Sequence, residues 1–379
     1  MKKILFRKLL VDYMSFFFIA LISTSLVIWV FQAVNYLDIM IEDGRDYLVY
    51  VNFSLLNFPK ILSKVFPFAL FFSLFYVTIN NELKNELIIF WNFGIHKIKV
   101  INFIFKISIL LLLLQIILTS FIVPKSQDMA RSFLRSSTVN FLDNFIKPQK
   151  FNDTINGVTI YSDKKDKNGN LTNLYLKREI NPDEFQITYA KKGNFKLIAN
   201  FPVLVLYEGA TVTSKNDEIT NISFSKSDFS LMNLETNTTT YKKTQEISTR
   251  KLIICIKNFY FLEKKSFELK VQKIENCSYK NIQNILKEFY KRLVVPFYIP
   301  LLSLVPFLVI ISSKESPHYN KLRFSTFLIG MVIIIFSETT IRFISKISVF
   351  DFGLITIPFI LISIFYLFLL NKFNVRIKD

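Results

Sequence analysis

The sequence predicts an α-helical membrane protein with six transmembrane helices, three before and three after an inserted all-β, jelly-roll-like domain. Three observations predict it. Of 379 residues, 51% are hydrophobic and 42 are Phe, and the mean hydropathy is +0.35. The same chain carries 47 Lys and Arg, so apolar and charged residues must be segregated along it. Finally, apolar stretches of spanning length flank one long polar interval, and a bilayer core needs roughly 20 consecutive apolar residues per helix.

The first stretch is Met14 to Val34. Lys2, Lys3, Arg7 and Lys8 precede it like the charged end of a signal peptide, but the run is long and lacks a small-residue cleavage site, so an uncleaved span is expected. Leu62 to Asn80, with Pro67 inside, is the second, and Ile98 to Val123, closed by Pro124, is the third. Leu293 to Ser312, Leu322 to Ile341 and Phe352 to Leu370 complete the set. The predicted organisation is residues 1–123 for helices 1 to 3, 124–290 for the β domain with helical connectors, and 291–379 for helices 4 to 6 with a short tail.

Basic residues orient the spans. With a cytoplasmic N-terminus, the inner segments hold Lys2, Lys3, Arg7, Lys8, Lys84, Lys97, Lys99, Lys314, Lys321, Arg323, Lys372, Arg376 and Lys378. The short outer loops hold only Arg45, Lys60, Lys64, Arg342 and Lys346. Both termini are therefore expected inside and the large domain outside, in the periplasm where a cell has two membranes. In a soluble protein a net charge of +18 would suggest nucleic acid; loop position accounts for it here, and no nucleic-acid partner is expected.

From Phe151 to about Thr249, short β-branched and aromatic runs alternate with turn residues. Gly157 to Tyr161, the turn Asp166-Lys167-Asn168-Gly169-Asn170 and Leu171 to Lys177 read as a hairpin, since Asn-Gly supplies the positive φ of a tight turn. Further strands are expected at Phe185 to Ala190, Phe195 to Ala199, Val203 to Tyr207, Ala210 to Thr213 and Ile219 to Phe224, giving a sandwich, jelly roll or partly open barrel. Such a fold has either a closed core or a groove for an acyl chain. Tyr279 to Lys291 looks helical. Cys255 and Cys277 fall on the outer side, where oxidation is permitted; their separation allows a bridge without deciding it.

Catalytic constellations are missing. There is no G-x-x-x-x-G-K-[ST], G-x-S-x-G or H-E-x-x-H, and His96 and His318 both lie near loops assigned to the cytoplasm. Neither catalysis nor a bound metal or cofactor is expected of this chain.

Asn80 to Lys97 joins the second and third spans. On one helix over 80–97, Leu83, Leu87, Phe90, Trp91 and Gly94 share a stripe, and Glu82 and Glu86 stand one turn apart. The pattern fits an interfacial helix lying in the headgroups. The alternative, which the residues by themselves favour less, is a coupling helix inserted into a separate ATPase, with Glu86 reaching a basic residue there.

Glu86-Leu87-Ile88-Ile89-Phe90-Trp91-Asn92-Phe93-Gly94-Ile95 resembles the E-L-x5-x-G-[ILV] coupling helix of the lipopolysaccharide-export permeases, the LptF/LptG family. Ile122-Val123-Pro124 with Gln127 to Arg131, the strands at Gly157 to Tyr161, Ile187 to Ala190 and Leu204 to Gly209, and Glu288, Arg292, Leu293 and Pro296 resemble further family stretches. Trp29-x-x-Gln32 with Asp38-Ile39 leans toward the LptF branch. Where members usually carry Lys or Arg near the outer end of the first span, this chain has Ala33, Asn35 and Tyr36.

The resemblance implies an ABC-transporter permease subunit of the bacterial inner membrane that extracts lipopolysaccharide and passes it to periplasmic β-jelly-roll bridge proteins, LptC- and LptA-like. A paralogous permease would complete a heterodimer, and a cytoplasmic LptB-like ATPase dimer would use the ATP. The coupling stripe would be Leu83, Glu86, Leu87, Phe90, Trp91 and Gly94, and a lateral gate would form where the first span approaches a fifth. Arg131 and Arg135, one turn apart, suit lipid phosphate through bidentate guanidinium bonds, or simple headgroup anchoring. Glu288 and Arg292, with Pro296, would serve a gate or cap the start of the fourth span. The rival from another class is a membrane receptor sensing an envelope ligand, though the tail after Leu370 offers little output; a transferase lacks the catalytic groups.

Overall fold

A computed structural model describes residues 2–37, 47–136, 148–155, 158–166, 169–181, 184–198, 201–215, 218–230, 242–261, 274, 276–344 and 349–374. Asp38, Ile39, Gly157, Asn168, Ala199 and the side chain of Arg135 lie outside the described residues, as do Arg45, Lys346, Arg376 and Lys378. The chain divides into two compact units: residues 1–31, 56–128 and 241–379, and residues 32–55 with 129–240.

Six helices are long and apolar enough to cross a membrane, at Lys2–Asn35, Tyr47–Leu83, Lys97–Leu134, Ile282–Ile311, Tyr319–Phe343 and Gly353–Phe373. All six predicted spans are present, several with extensions. The first is α1 (Lys2–Asn35), whose Leu9, Tyr13, Phe17 and Leu21 recur every fourth residue and are buried. The second is α2 (Tyr47–Leu83), followed by a short α3 (Glu86–Asn92). The third runs as α4 (Lys97–Ile117), a π turn at Leu118–Ile122, and α5 (Val123–Ser136). Pro124 therefore does not close this helix. It stands in the first turn of α5, where a missing N–H costs least, and the π turn before it absorbs the misfit.

The remaining helices are α6 (Thr249–Phe261), α7 (Ile282–Leu293), α8 (Tyr298–Leu304), α9 (Tyr319–Phe343) and α10 (Val349–Asn374). The fourth span is α7 and α8 joined by a 3-10 turn and extended by another at Val305–Ile311, because Pro296, Pro300 and Pro306 interrupt its hydrogen-bond ladder.

Each helix proline deprives the carbonyl four residues earlier of its N–H partner, and in an apolar medium that oxygen needs another donor. Four of them receive it from a different element. Gln115 Nε2 donates to Ser63 O, freed by Pro67, at 2.8 Å. Thr119 Oγ1 donates to Arg292 O, freed by Pro296, at 2.9 Å. Thr249 Oγ1 donates to Ser120 O, freed by Pro124, at 2.5 Å. Tyr290 Oη donates to Leu354 O, freed by Pro358, at 3.2 Å.

In the second unit, β1 (Asn152–Ile155), β2 (Val158–Lys165), β3 (Leu171–Asn181), β4 (Glu184–Ile198), β5 (Phe201–Lys215) and β6 (Glu218–Ser230) form one antiparallel sheet in sequence order. The inserted domain is all-β as predicted, but these strands connect as a meander, without the crossovers of a Greek key. Two pairs of predicted strands fuse: Phe185 to Ala190 with Phe195 onward, and Val203 to Tyr207 with Ala210 to Thr213. Gly193 and Gly209 lie inside the fused strands because a Cβ there would come within 2.3 Å of Leu174 Cδ1 and 2.1 Å of Tyr189 O. The hairpin turn is present, with Gly169 at φ 77° and its N–H bonded to Asp166 O at 2.9 Å. Val158, Ile160, Leu174, Leu176, Leu204 and Leu206 pack together on one apolar face.

Candidate functional site

The segment over 80–97 is not the one helix its periodicity predicts. α2 ends at Leu83, and Asn85 turns left-handed at φ 60°, ψ 15°, a conformation Asn tolerates through its short polar side chain. α3 then begins with Glu86, whose charge suits the positive end of the helix. Gly94, at φ 66°, ends it, with its N–H on Trp91 O and that of Ile95 on Phe90 O. Leu83 thus belongs to the preceding helix, Gly94 is a stop rather than part of a stripe, and Glu82 and Glu86 sit on different helices.

The break also changes which side chains face outward. Leu87 and Phe90 are only 1% and 6% exposed, buried with Leu9, Tyr13 and Ile101; Phe90 meets the Phe6 ring edge-on at 6.0 Å. Trp91 is half-buried under the Lys97 ammonium, 5.6 Å from its ring. Ile88, Ile89, Asn92 and Phe93 form the exposed face, and Leu83, at the end of α2, is exposed as well. A seven-residue helix has little stability of its own, so Leu87 and Phe90 fix it by tertiary burial while its opposite face stays available.

Polar contacts brace this elbow. Lys8 Nζ pairs with Glu86 Oε2 at 2.8 Å, so the carboxylate expected to await a partner is already engaged. Lys314 Nζ donates to Asn85 Oδ1, and Lys97 Nζ to Ile310 O at 2.8 Å. The elbow is thereby tied to the first span, to the end of the fourth and to the start of the loop that follows it.

Arg292 is the most enclosed charge of the predicted set, 2% exposed. Its Nε donates to Glu288 Oε1 at 3.0 Å, Nη1 to Ile247 O at 2.8 Å and Thr249 Oγ1 at 3.1 Å, and Nη2 to Gln245 O at 2.9 Å. With every guanidinium nitrogen occupied and Pro296 buried beside it, this group fastens the start of the fourth span to the segment before α6. Arg131 is half-buried and engaged within the protein.

Sequence reasoning missed α6, whose inner face (Leu252, Cys255) packs on Ile282 and Ile285 of α7. Cys255 and Cys277 form a disulfide with Cα atoms 6.2 Å apart, closing the open question. Gln115, Thr119, Thr249 and Tyr290 were also missed; for Gln115 and Thr119, polar side chains in an otherwise apolar span were the available signal, whereas Thr249 and Tyr290 stand in helices rich in polar residues and gave none.

On the sheet, Lys191 Nζ pairs with Glu208 Oε2 at 3.0 Å, which raises the lysine and holds the glutamate below its ordinary value. Asp163 is lowered by hydrogen bonds from Asn173 and then Tyr161.

Six helices long and apolar enough to cross a membrane, with a β-sheet unit inserted between the third and fourth, define a multi-pass membrane protein. Comparison with protein families gives the particular group. The chain belongs to the lipopolysaccharide export system permease LptF/LptG family, whose model matches residues 7–372. It is also 23% identical over 348 residues to the uncharacterized protein RP871 of Rickettsia prowazekii (strain Madrid E), covering 90% of each chain.

Proposed function

We propose that this chain is one half of an inner-membrane lipopolysaccharide extractor, paired with a paralogous permease and driven by a cytoplasmic ATPase dimer that uses the ATP. Both termini and the elbow face the cytoplasm; the sheet and the Cys255–Cys277 bond face the periplasm, where LptC- and LptA-like bridge proteins receive the lipid. The charge distribution over the loops supports that orientation, as does a disulfide, which persists in oxidising compartments.

The physical demand on such a machine is large. Each methylene bared to water costs about 0.8 kcal/mol, so a multi-acyl lipid needs continuous apolar cover. The spans would supply it first and the apolar face of the sheet afterwards, with Arg131 and Arg135 near the phosphates.

The braced elbow carries the coupling proposal. Ile88, Ile89 and Phe93 present an apolar face to an ATPase groove, while Leu87, Phe90, Lys8, Lys97 and Lys314 transmit its displacement into the bundle. Glu86 supports this function by holding the elbow on Lys8, or by exchanging Lys8 for a basic residue of the ATPase.

Co-purification from detergent tests the assembly. An ATPase and a second six-span subunit are expected with the wild-type chain, and a lone chain without a nucleotide-dependent companion would favour the receptor. Phe93→Asp should abolish ATPase retention and Glu86→Ala should reduce it, with the sheet still folded. Full retention in both variants would remove the elbow from the mechanism.

A further inference from the structure

A cavity of about 470 Å³ opens beside the end of the third span, between Pro124 and the first turn of α6. That volume falls in the range of small-molecule sites, roughly 300–1,000 Å³. Lys125, Lys242, Arg250 and Lys251 line it, against two carboxylates, Asp128 and Glu246. Lys242 neutralises Asp128 at 2.8 Å, and Glu246 has its own interaction within the protein. Among the described residues, Lys125, Arg250 and Lys251 meet no carboxylate, so the lining is cationic.

Two further features point at an anion. Ser248 to Lys251 bring the first turn of the 13-residue α6 to the cavity, with amide N–H groups that have no acceptor inside the helix. Ser120 also lines the cavity. It is 4% exposed, and its Oγ has no hydrogen-bond partner, which is costly for a buried hydroxyl. It lies in the π turn, whose Ser120 carbonyl is held by Thr249. The hydroxyl, the helix terminus and the cations thus converge on one space.

We infer that this cavity binds a phosphate group, with Lys125, Arg250 and Lys251 carrying its charge and Ser120 Oγ and the α6 amides its oxygens. Phe121 and Pro124 give the lining an apolar side for a substituent. The site uses none of the elbow residues and is separate from Arg131 and Arg135, so it stands or falls independently of ATPase coupling.

Calorimetric titration of the full-length chain in a non-ionic detergent tests it, using inorganic phosphate, dioctanoyl phosphatidic acid and dioctanoyl phosphatidylcholine. Saturable binding of both phosphate and phosphatidic acid identifies a free-phosphate site, and binding of phosphatidic acid alone a lipid-headgroup site. In either case the triple variant Lys125→Gln, Arg250→Gln, Lys251→Gln should weaken binding by about tenfold or more, a loss of about 1.4 kcal/mol or more. Ser120→Ala should weaken it by about threefold, a neutral bond's share. A control triple, Lys99→Gln, Lys321→Gln, Lys372→Gln, removes equal charge elsewhere and should change nothing. Thiol titration checks that Cys255–Cys277 stays closed in each variant. No saturable binding, equal binding of phosphatidylcholine, or equal losses in the two triples would overturn the site.

Discussion

The first and fourth spans have nearly the same hydropathy, 2.2 and 2.5, yet 17% of the first span's apolar window is buried and 89% of the fourth's. Hydropathy reports that a helix tolerates lipid; it does not report what the helix touches. The fourth span, broken by prolines, is enclosed by its neighbours from Tyr298 to Val309. The first is one straight-laddered helix that commits a single stripe to the bundle and leaves Phe18, Ile22, Leu26, Val30 and Phe31 outward. In this fold the irregular helix is the structural axis, and the regular one presents a surface.

That contrast can be broken by substitution. Arg292→Met, at the start of the enclosed span, removes the cationic partner of Glu288 and the donors to Ile247 O, Thr249 Oγ1 and Gln245 O, and about 3–5 kcal/mol of stability should be lost; thermal unfolding in detergent measures it. A loss below 1 kcal/mol, on the order of an exposed pair, would show that the hub is not structural. Cys255→Ser with Cys277→Ser should cost about 3 kcal/mol through release of a loop of sequence separation 22, read as a lower unfolding midpoint that reductant no longer shifts.

The fifth span, 22% buried, should be sensitive at one point. A Cβ at Gly330 would meet the buried Phe71 ring at 2.0 Å, so Gly330→Ala should cost about 1–3 kcal/mol and Phe71→Leu should relieve part of it. Additive losses would mean that the two residues do not press on each other. Leu26→Ala and Phe31→Ala, on the outward face of the first span, should change the isolated chain's stability by no more than about 0.5 kcal/mol. Losses near core values would mean that this face is packed.

The smallest effect should come from pH on the sheet. The folded-state values of Asp163 and Glu208 lie below their ordinary 3.8 and 4.5, so each contributes stability above those values that disappears as pH falls through the folded ones. Both are exposed, and the change should show as faster amide exchange around Tyr161, Asn173 and Lys191 at pH 3 after correction for intrinsic rates. Unchanged protection would mean these contacts do not hold the strands.

The spans and strands were legible because each repeats a simple period: continuous apolarity in one case, alternation in the other. The elbow was half legible. Its residues were found, but Leu87 and Phe90 looked like a docking stripe because one-dimensional periodicity cannot separate an apolar face turned inward from one turned outward. Asn85 and Gly94 carried the correction, since both are residues that accept positive φ. Gly193 and Gly209 were illegible as close-packing positions without the partner strand, and Thr119 without knowing that Pro296 lies across from it. Helix α6 stayed hidden because its Ile-rich run is too short to span, and exposed Ile253 and Ile254 beside buried Leu252 and Cys255 blur its apolar face.

The four carbonyls released by Pro67, Pro124, Pro296 and Pro358 carry a mechanical consequence. Each trades a bond along one helix for a bond across to another, so local bending and separation from the neighbour become a single event. The third span grips two neighbours through Gln115 and Thr119, is gripped through Ser120, and acts as a keystone for the joints. A bundle articulated in this way stays stiff between its prolines and yields at them, and rupture of one cross-link releases two helices together.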